Sequence, residues 1–186
     1  LMPQSSPQLN GYDIAGRTLS CDEIGGDYFD YWVAPNKSQE AITIVVGDVT
    51  GHGAEAALLM TTARAIFRMK ALQMDDMAEI INAMNRQLVL DMLDTGRFMT
   101  LFCLRLETRN KRAQWIRAGH TPALIYHPDQ DRFTELKGEG LALGVDAAYH
   151  YQAQRSREIT AGHIIALGTD GIWETQNEQG EWFGKE

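Results

Sequence analysis

Two hydrophobic periods divide this chain. Ala41 to Val46 (AITIVV) is a β-branched run of strand length and predicts a buried strand. It leads directly into GDVTGHG, a loop with three glycines in seven residues. Ala54 to Leu72 is helical in composition, with apolar residues on nearly every side, which predicts a largely buried helix. Asp75 and Asp76 place negative charge where a second helix begins, at the positive end of its dipole. Met77, Ile81, Met84, Leu88 and Met92 then recur at four- and three-residue steps, a core-facing stripe that packs on the first helix.

After Gly96 the period shortens. MTLFCLRLE, WIRAGH, ALIYH, RFTELK and HIIALG are each of strand length, and Asn110, Pro128-Asp129, Gly138 and Gly162 punctuate them. Upstream, Tyr12 to Trp32 reads as short strand-like segments broken at Gly25-Gly26, followed by a turn at Asn36, Lys37 and Ser38. Residues 1–11, rich in Pro, Ser and Gln, read as an entry linker, leaving 12–186 as one domain. Strands, two helices and then many strands make an α+β fold with antiparallel sheet.

Charge narrows the function. Lys and Arg number 17 against 25 Asp and Glu, a net charge of −8. That balance disfavours nucleic acid and anionic lipid, which need a positive field. No apolar run reaches the roughly 18 residues of a membrane span, and the first residues lack signal-peptide segments, so a cytoplasmic setting is expected. Cys21 and Cys103 form no CxxC or zinc pattern. The chain starts at Leu1 and stops at Lys185-Glu186, which reads as part of something longer.

Asp stands beside Gly three times where a strand meets a loop: Gly26-Asp27, Gly47-Asp48 and Asp170-Gly171. Turn chemistry accounts for any one such pair. Three in strand contexts also allow carboxylates gathered at one sheet edge around a hard cation, Mg²⁺ or Mn²⁺. GxSxG, GxxxxGK[ST], HExxH and GxGxxG are all missing.

In order along the chain, LNGYDIAGRTLSCDEIGGDYFDY, VVGDVTGHGAEAALLM, RFMTLFCLRLE, IRAGHTPALIY, GEGLALGV and HIIALGTDGIWETQNEQGEWFG resemble the SpoIIE or RsbU-type branch of the metal-dependent PPM (PP2C-like) Ser/Thr phosphatases. The resemblance implies an α/β/β/α sandwich of two antiparallel sheets flanked by helices, lacking the family's last helix and strand. It implies a binuclear Mn²⁺ or Mg²⁺ centre. Asp48 would bridge both ions, the Val49 carbonyl and Asp27 would hold one of them, Asp170 the other, and Asp30 would lie nearby as ligand or support. A further family ligand, in an Asp-Asp pair, falls beyond Glu186, and Glu174, Glu178 and Glu181 do not match that motif. The phosphate-binding Arg of eukaryotic members has no counterpart at Asp22, Glu23 or Ile24.

By the same resemblance the chain is a phosphoprotein phosphatase, with Asp27, Asp48 and Asp170 as its catalytic carboxylates. Its substrate would be a phosphorylated STAS-type anti-sigma-factor antagonist. The domain would be the output of a protein with an upstream sensor or receiver domain, the two helices forming a regulatory face or a homodimer interface. The alternative is a non-catalytic partner-binding module with a partial metal site. His52 is read equally as a loop hydrogen-bonding residue or a proton-transfer group, and His120 as a buried hydrogen-bonding histidine. Trp173 and Trp182 are read as packing residues.

Overall fold

A computed structural model describes residues 2–19, 24–34 and 40–184. The expected turn at Asn36, Lys37 and Ser38, together with Cys21, Asp22 and Glu23, falls outside them.

The chain forms β1 (Asp27–Trp32), β2 (Ala41–Val49), the helices α1 (Gly53–Gln73) and α2 (Met77–Met92), β3 (Met99–Glu107), β4 (Arg112–Ala118), β5 (Ala123–His127), β6 (Arg132–Leu136), β7 (Gln154–Glu158) and β8 (Ile164–Ala166). A single 3-10 turn at Asp170–Ile172 follows β8. Every strand pairing is antiparallel. One sheet has the order β1-β2-β3-β4-β7 and the other β6-β5-β8.

Side-chain alternation makes the five-stranded sheet two-faced. Tyr28, Val45, Val49, Met99, Leu101, Cys103 and Ile116 bury against α1 and α2. Ile42, Phe102, Leu104, Leu106 and Trp115 point the other way, onto Ala123, Ile125 and Leu136 of the three-stranded sheet. The layers run helix, sheet, sheet. Among the described residues no α-helix covers the outer face of the smaller sheet, so the expected fourth layer is not seen there.

Asp76 caps α2 as its sequence implies, its carboxylate accepting from the Ala78 and Glu79 amides at 2.7 and 3.0 Å. All five stripe residues of α2 are buried. Asn85, fully buried on the same helix, donates to the Asp146 carbonyl and accepts from the Gly144 amide, holding the segment that leads towards β7.

Helix α1 departs from expectation. It buries Ala56, Met60, Ala63, Ile66, Phe67 and Ala71 on one face, while Leu58, Met69 and Leu72 remain 68%, 50% and 64% exposed. Its apolar composition reflects two stripes, of which only one meets the sheet. Trp182, expected to pack, is also mostly exposed, whereas Leu9 of the entry segment is buried in the core between the sheets. None of the described helices is long and apolar enough to cross a membrane.

Candidate metal centre

Asp27 and Asp48 are direct register partners across β1 and β2, so their side chains leave the same face of the sheet. That face is the one turned toward the smaller sheet, because Asp48 continues the alternation of Ile42 and Ile44. Asp170 reaches the same end from the smaller sheet, on the 3-10 turn after β8. Asp27, Asp48 and Asp170 thus lie within electrostatic reach of one another at this end of the two sheets.

Their electrostatics record the proximity. Burial pushes the Asp48 carboxyl up to about 7, and the charges of Asp27, Asp170 and Glu174 push the same way against a hydrogen bond from the Val49 amide. Asp27 is raised too, by burial first and by Asp170 as well, while the Thr169 side chain hydrogen-bonds it and partly offsets the rise. Glu174, set aside on the sequence because it does not match the family motif, belongs to this neighbourhood. Its backbone amide donates to the Asp170 carbonyl, and this turn carries it toward Asp48; nothing in its local sequence announces that.

The donor set is all oxygen, which suits Mg²⁺ or Mn²⁺ and not zinc. Gly26 supplies a second sign of fit. A Cβ there would stand 2.6 Å from the Val49 carbonyl oxygen and 3.3 Å from Asp48 Oδ1, so only glycine leaves those two oxygens accessible side by side. Among the described residues no three His, Cys, Asp or Glu side chains close into a ready ion cage; the carboxylates influence one another without meeting at one point.

The loop after Asp48 is clamped. The Thr50 hydroxyl accepts from the Phe98 amide at 3.0 Å, and the Thr50 amide donates to the Phe98 carbonyl at 3.0 Å. Arg97 donates to the Thr50 carbonyl and to Glu55 of α1, both at 2.6 Å, and its guanidinium fills the space a side chain on Gly51 would need. His52 is exposed at the start of α1 and its side chain makes no capping hydrogen bond. His120 is 4% exposed and hydrogen-bonded through both ring nitrogens, in keeping with a buried hydrogen-bonding role.

Asp30 needs correcting. It lies three residues from Asp27 on the same strand, and the odd step turns it to the helix face. There it is fully buried, and Arg68 of α1 donates to both of its oxygens at 2.6 Å, with the Tyr28 hydroxyl adding a third bond. Its carboxylate is committed to α1, not to the candidate metal centre.

Comparison with known proteins identifies the family of the chain. Residues 38–186 match the family profile described as Stage II sporulation protein E (SpoIIE). The chain is 28% identical over 182 residues to phosphoserine phosphatase RsbU of Bacillus subtilis (strain 168), covering 97% of this chain and 52% of that protein. It therefore spans about half the length of this relative. Its fold is similar to that of the RsbU and RsbW domains of a Mycobacterium tuberculosis protein, with a TM-score of 0.71 and 25% identity over 85% of this chain and 42% of that one. RsbX, solved in complex with magnesium, shares the fold with a TM-score of 0.64 and 16% identity, over 82% of this chain and 69% of that one. With this profile matched over most of its length, the chain belongs to the SpoIIE family.

Proposed function

We propose that this domain hydrolyses phosphoserine or phosphothreonine on a protein substrate, in dependence on divalent metal. The observation that carries the reading is the register pairing of Asp27 with Asp48 opposite Asp170, three carboxylates from two sheets at one edge. In this reading Asp48 would hold two ions, with Asp27 and the Val49 carbonyl on one and Asp170 on the other. RsbX, a fold relative, is known in complex with magnesium, which supports a hard cation. When bound, such ions would lower the pKa of water toward neutrality and neutralise phosphoryl oxygens.

The residues of this chain then have distinct tasks. Asp27, Asp48 and Asp170 hold the cations, Gly26 keeps the Val49 carbonyl and Asp48 accessible, and Arg97 with Thr50 fixes the loop behind them. In this reading water is the nucleophile and no covalent phosphoenzyme forms.

The substrate class we propose is a phosphorylated STAS-type anti-sigma-factor antagonist, supported by the similarity to RsbU. An upstream sensor or receiver domain would act through α1 and α2. The exposed stripe of Leu58, Ala65, Met69 and Leu72 on α1 follows steps of seven, four and three residues, which suits helix-on-helix contact with such a segment or with a second copy.

Phosphate release from a phosphoserine protein, followed while Mn²⁺ is titrated into the natural chain, tests the reading. Release that depends on Mn²⁺ and vanishes in Asp48→Ala supports it. No release at any Mn²⁺ concentration from a folded protein would favour a partner-binding module.

A further inference from the structure

His120 joins the two sheets at the carboxylate end. It follows β4 of the larger sheet, and its Nδ1 lies 2.8 Å from the Thr100 hydroxyl on β3. Its Nε2 lies 3.2 Å from the Gly168 carbonyl, in the segment between β8 of the smaller sheet and Asp170. A carbonyl only accepts, so Nε2 carries the hydrogen and Nδ1 accepts from the Thr100 hydroxyl. One neutral tautomer satisfies both contacts.

The ends of this bridge coincide with the candidate metal ligands. Thr100 is the register partner of Asp48 across β2 and β3. Gly168 precedes Thr169, whose side chain hydrogen-bonds Asp27, and Asp170 follows. The Arg117 guanidinium donates to the carbonyl of His120 and, at 2.8 Å, to that of Gly138, so the backbone carrying the imidazole is itself held. Gly119, at φ +68°, lets the chain turn into His120 with the Ala142 backbone against it. The imidazole is anchored at its backbone and at both ring nitrogens.

We infer that His120 is a positioning residue: through Thr100 and Gly168 it sets the separation between Asp48 on one sheet and Asp170 on the other. This rests on the metal-centred reading above. The smaller sheet meets the larger through apolar side chains, which are not directional. Hydrogen bonds with fixed donor and acceptor atoms supply the register that such contacts lack. His120 acts through the geometry of the carboxylates and touches neither substrate nor cation.

The test uses the natural chain and two readouts for each variant. Amide hydrogen exchange at residues 167–172, in metal-free protein, reports the tie itself. Calorimetric titration with Mn²⁺ reports its effect on the carboxylates. His120→Leu keeps an apolar group and removes both hydrogen bonds; His120→Gln keeps an acceptor and a donor at similar spacing; Thr100→Val removes one bond and is the milder variant should His120→Leu fail to fold.

His120→Leu is expected to speed exchange at 167–172 at least tenfold, with the helices unchanged, and to weaken Mn²⁺ binding by about 10-fold or more, the scale seen when supports behind metal ligands are removed. Thr100→Val should fall between, and His120→Gln should restore both readouts to within about threefold. Unchanged exchange in His120→Leu and Thr100→Val overturns the tie. Faster exchange with unaltered Mn²⁺ affinity overturns the positioning role, as does loss in His120→Gln equal to that in His120→Leu. If wild type and Asp48→Ala bind Mn²⁺ alike, the metal-centred reading fails, and with it the role given to His120, while the exchange data still judge the tie.

Discussion

Asp30 of β1 gives both carboxylate oxygens to the guanidinium of Arg68 on α1, at 2.6 Å each, in a site where the aspartate has no exposed surface. Arg64, one turn earlier on the same helix, has its Nε 3.5 Å from the same carboxylate. The strand that begins at the candidate metal centre is thus bound to α1 by a paired charge on its opposite face.

Removing Arg68 leaves the buried Asp30 charge with Arg64 at 3.5 Å as its remaining cationic partner. Arg68→Met is expected to cost about 3 kcal/mol, at the low end of the range for buried pairs because Arg64 stands by. Adding Asp30→Asn should recover part of that loss. Urea unfolding of the single and double variants measures both, and equal stability of Arg68→Met and wild type would refute the coupling.

Asp30 and Asp170 should separate cleanly by readout. Asp170→Ala is expected to abolish Mn²⁺-dependent phosphate release with little loss of metal-free stability, since it removes a charge that repels Asp48. Asp30→Ala should show the reverse order of severity, with stability falling first. Melting curves run beside the phosphatase assay decide this.

Two titrating groups give opposite pH slopes in metal-free protein. Asp48 is raised to about 7, so the folded chain holds a proton that the unfolded chain has released; its contribution is full near pH 4 and lost as pH rises toward 7. His120 is lowered to about 4 by burial, so its contribution is full above pH 6.5 and lost as pH falls through 4. Between pH 4 and 6.5 the two oppose each other. Asp48→Asn should tilt the stability profile upward with pH across that window, the raised Asp27 still opposing His120, and His120→Gln should make stability fall. Denaturant midpoints at half-unit pH steps are the check.

Gly26→Ala puts a methyl group against the Val49 carbonyl and Asp48 Oδ1. Displacement of those oxygens is expected to cost about 1–3 kcal/mol and to raise the Mn²⁺ concentration needed for half-maximal activity. A variant with unaltered Mn²⁺ dependence would remove Gly26 from the site.

The exposed stripe on α1 makes a separate prediction. Met69→Glu with Leu72→Glu should leave the melting temperature of this domain within about 2 °C, because both side chains already face solvent. If the stripe is a self-association surface, light scattering will show a smaller oligomer for the natural chain carrying both changes. An unchanged mass assigns the stripe to a different segment.

Much of this architecture is written in the sequence at short range. The α2 stripe, the Asp76 cap and the strands at MTLFCLRLE and ALIYH follow from periodicity and turn residues. Strand β7 does not, because QRSRE has no apolar alternation; it is an edge strand that pairs with β4 through its backbone across an irregular register. For α1 the composition told how apolar the helix is, but not how much of it this domain covers.

At the site, Asp27, Asp48 and Asp170 were marked by neighbouring glycines at strand ends. Asp30, expected only nearby as ligand or support, is assigned to the other face by strand alternation once β1 is continuous. Glu174 and the partners of His120 depend on how one sheet lies over the other, which no local pattern encodes.

Thr100 sits 52 residues after Asp48, and the whole α1–α2 hairpin lies between them. Pairing of β2 with β3 is therefore a long-range closure, whereas β1 and β2 are neighbours in the chain. Closure of that kind carries its entropy cost before its contacts form, and the helical hairpin shortens the effective gap by folding on itself. Asp48 therefore has its β1 neighbour, Asp27, through a pairing local in the chain and its β3 neighbour, Thr100, only through a closure that spans the hairpin, so loss of the hairpin strikes the second contact and not the first.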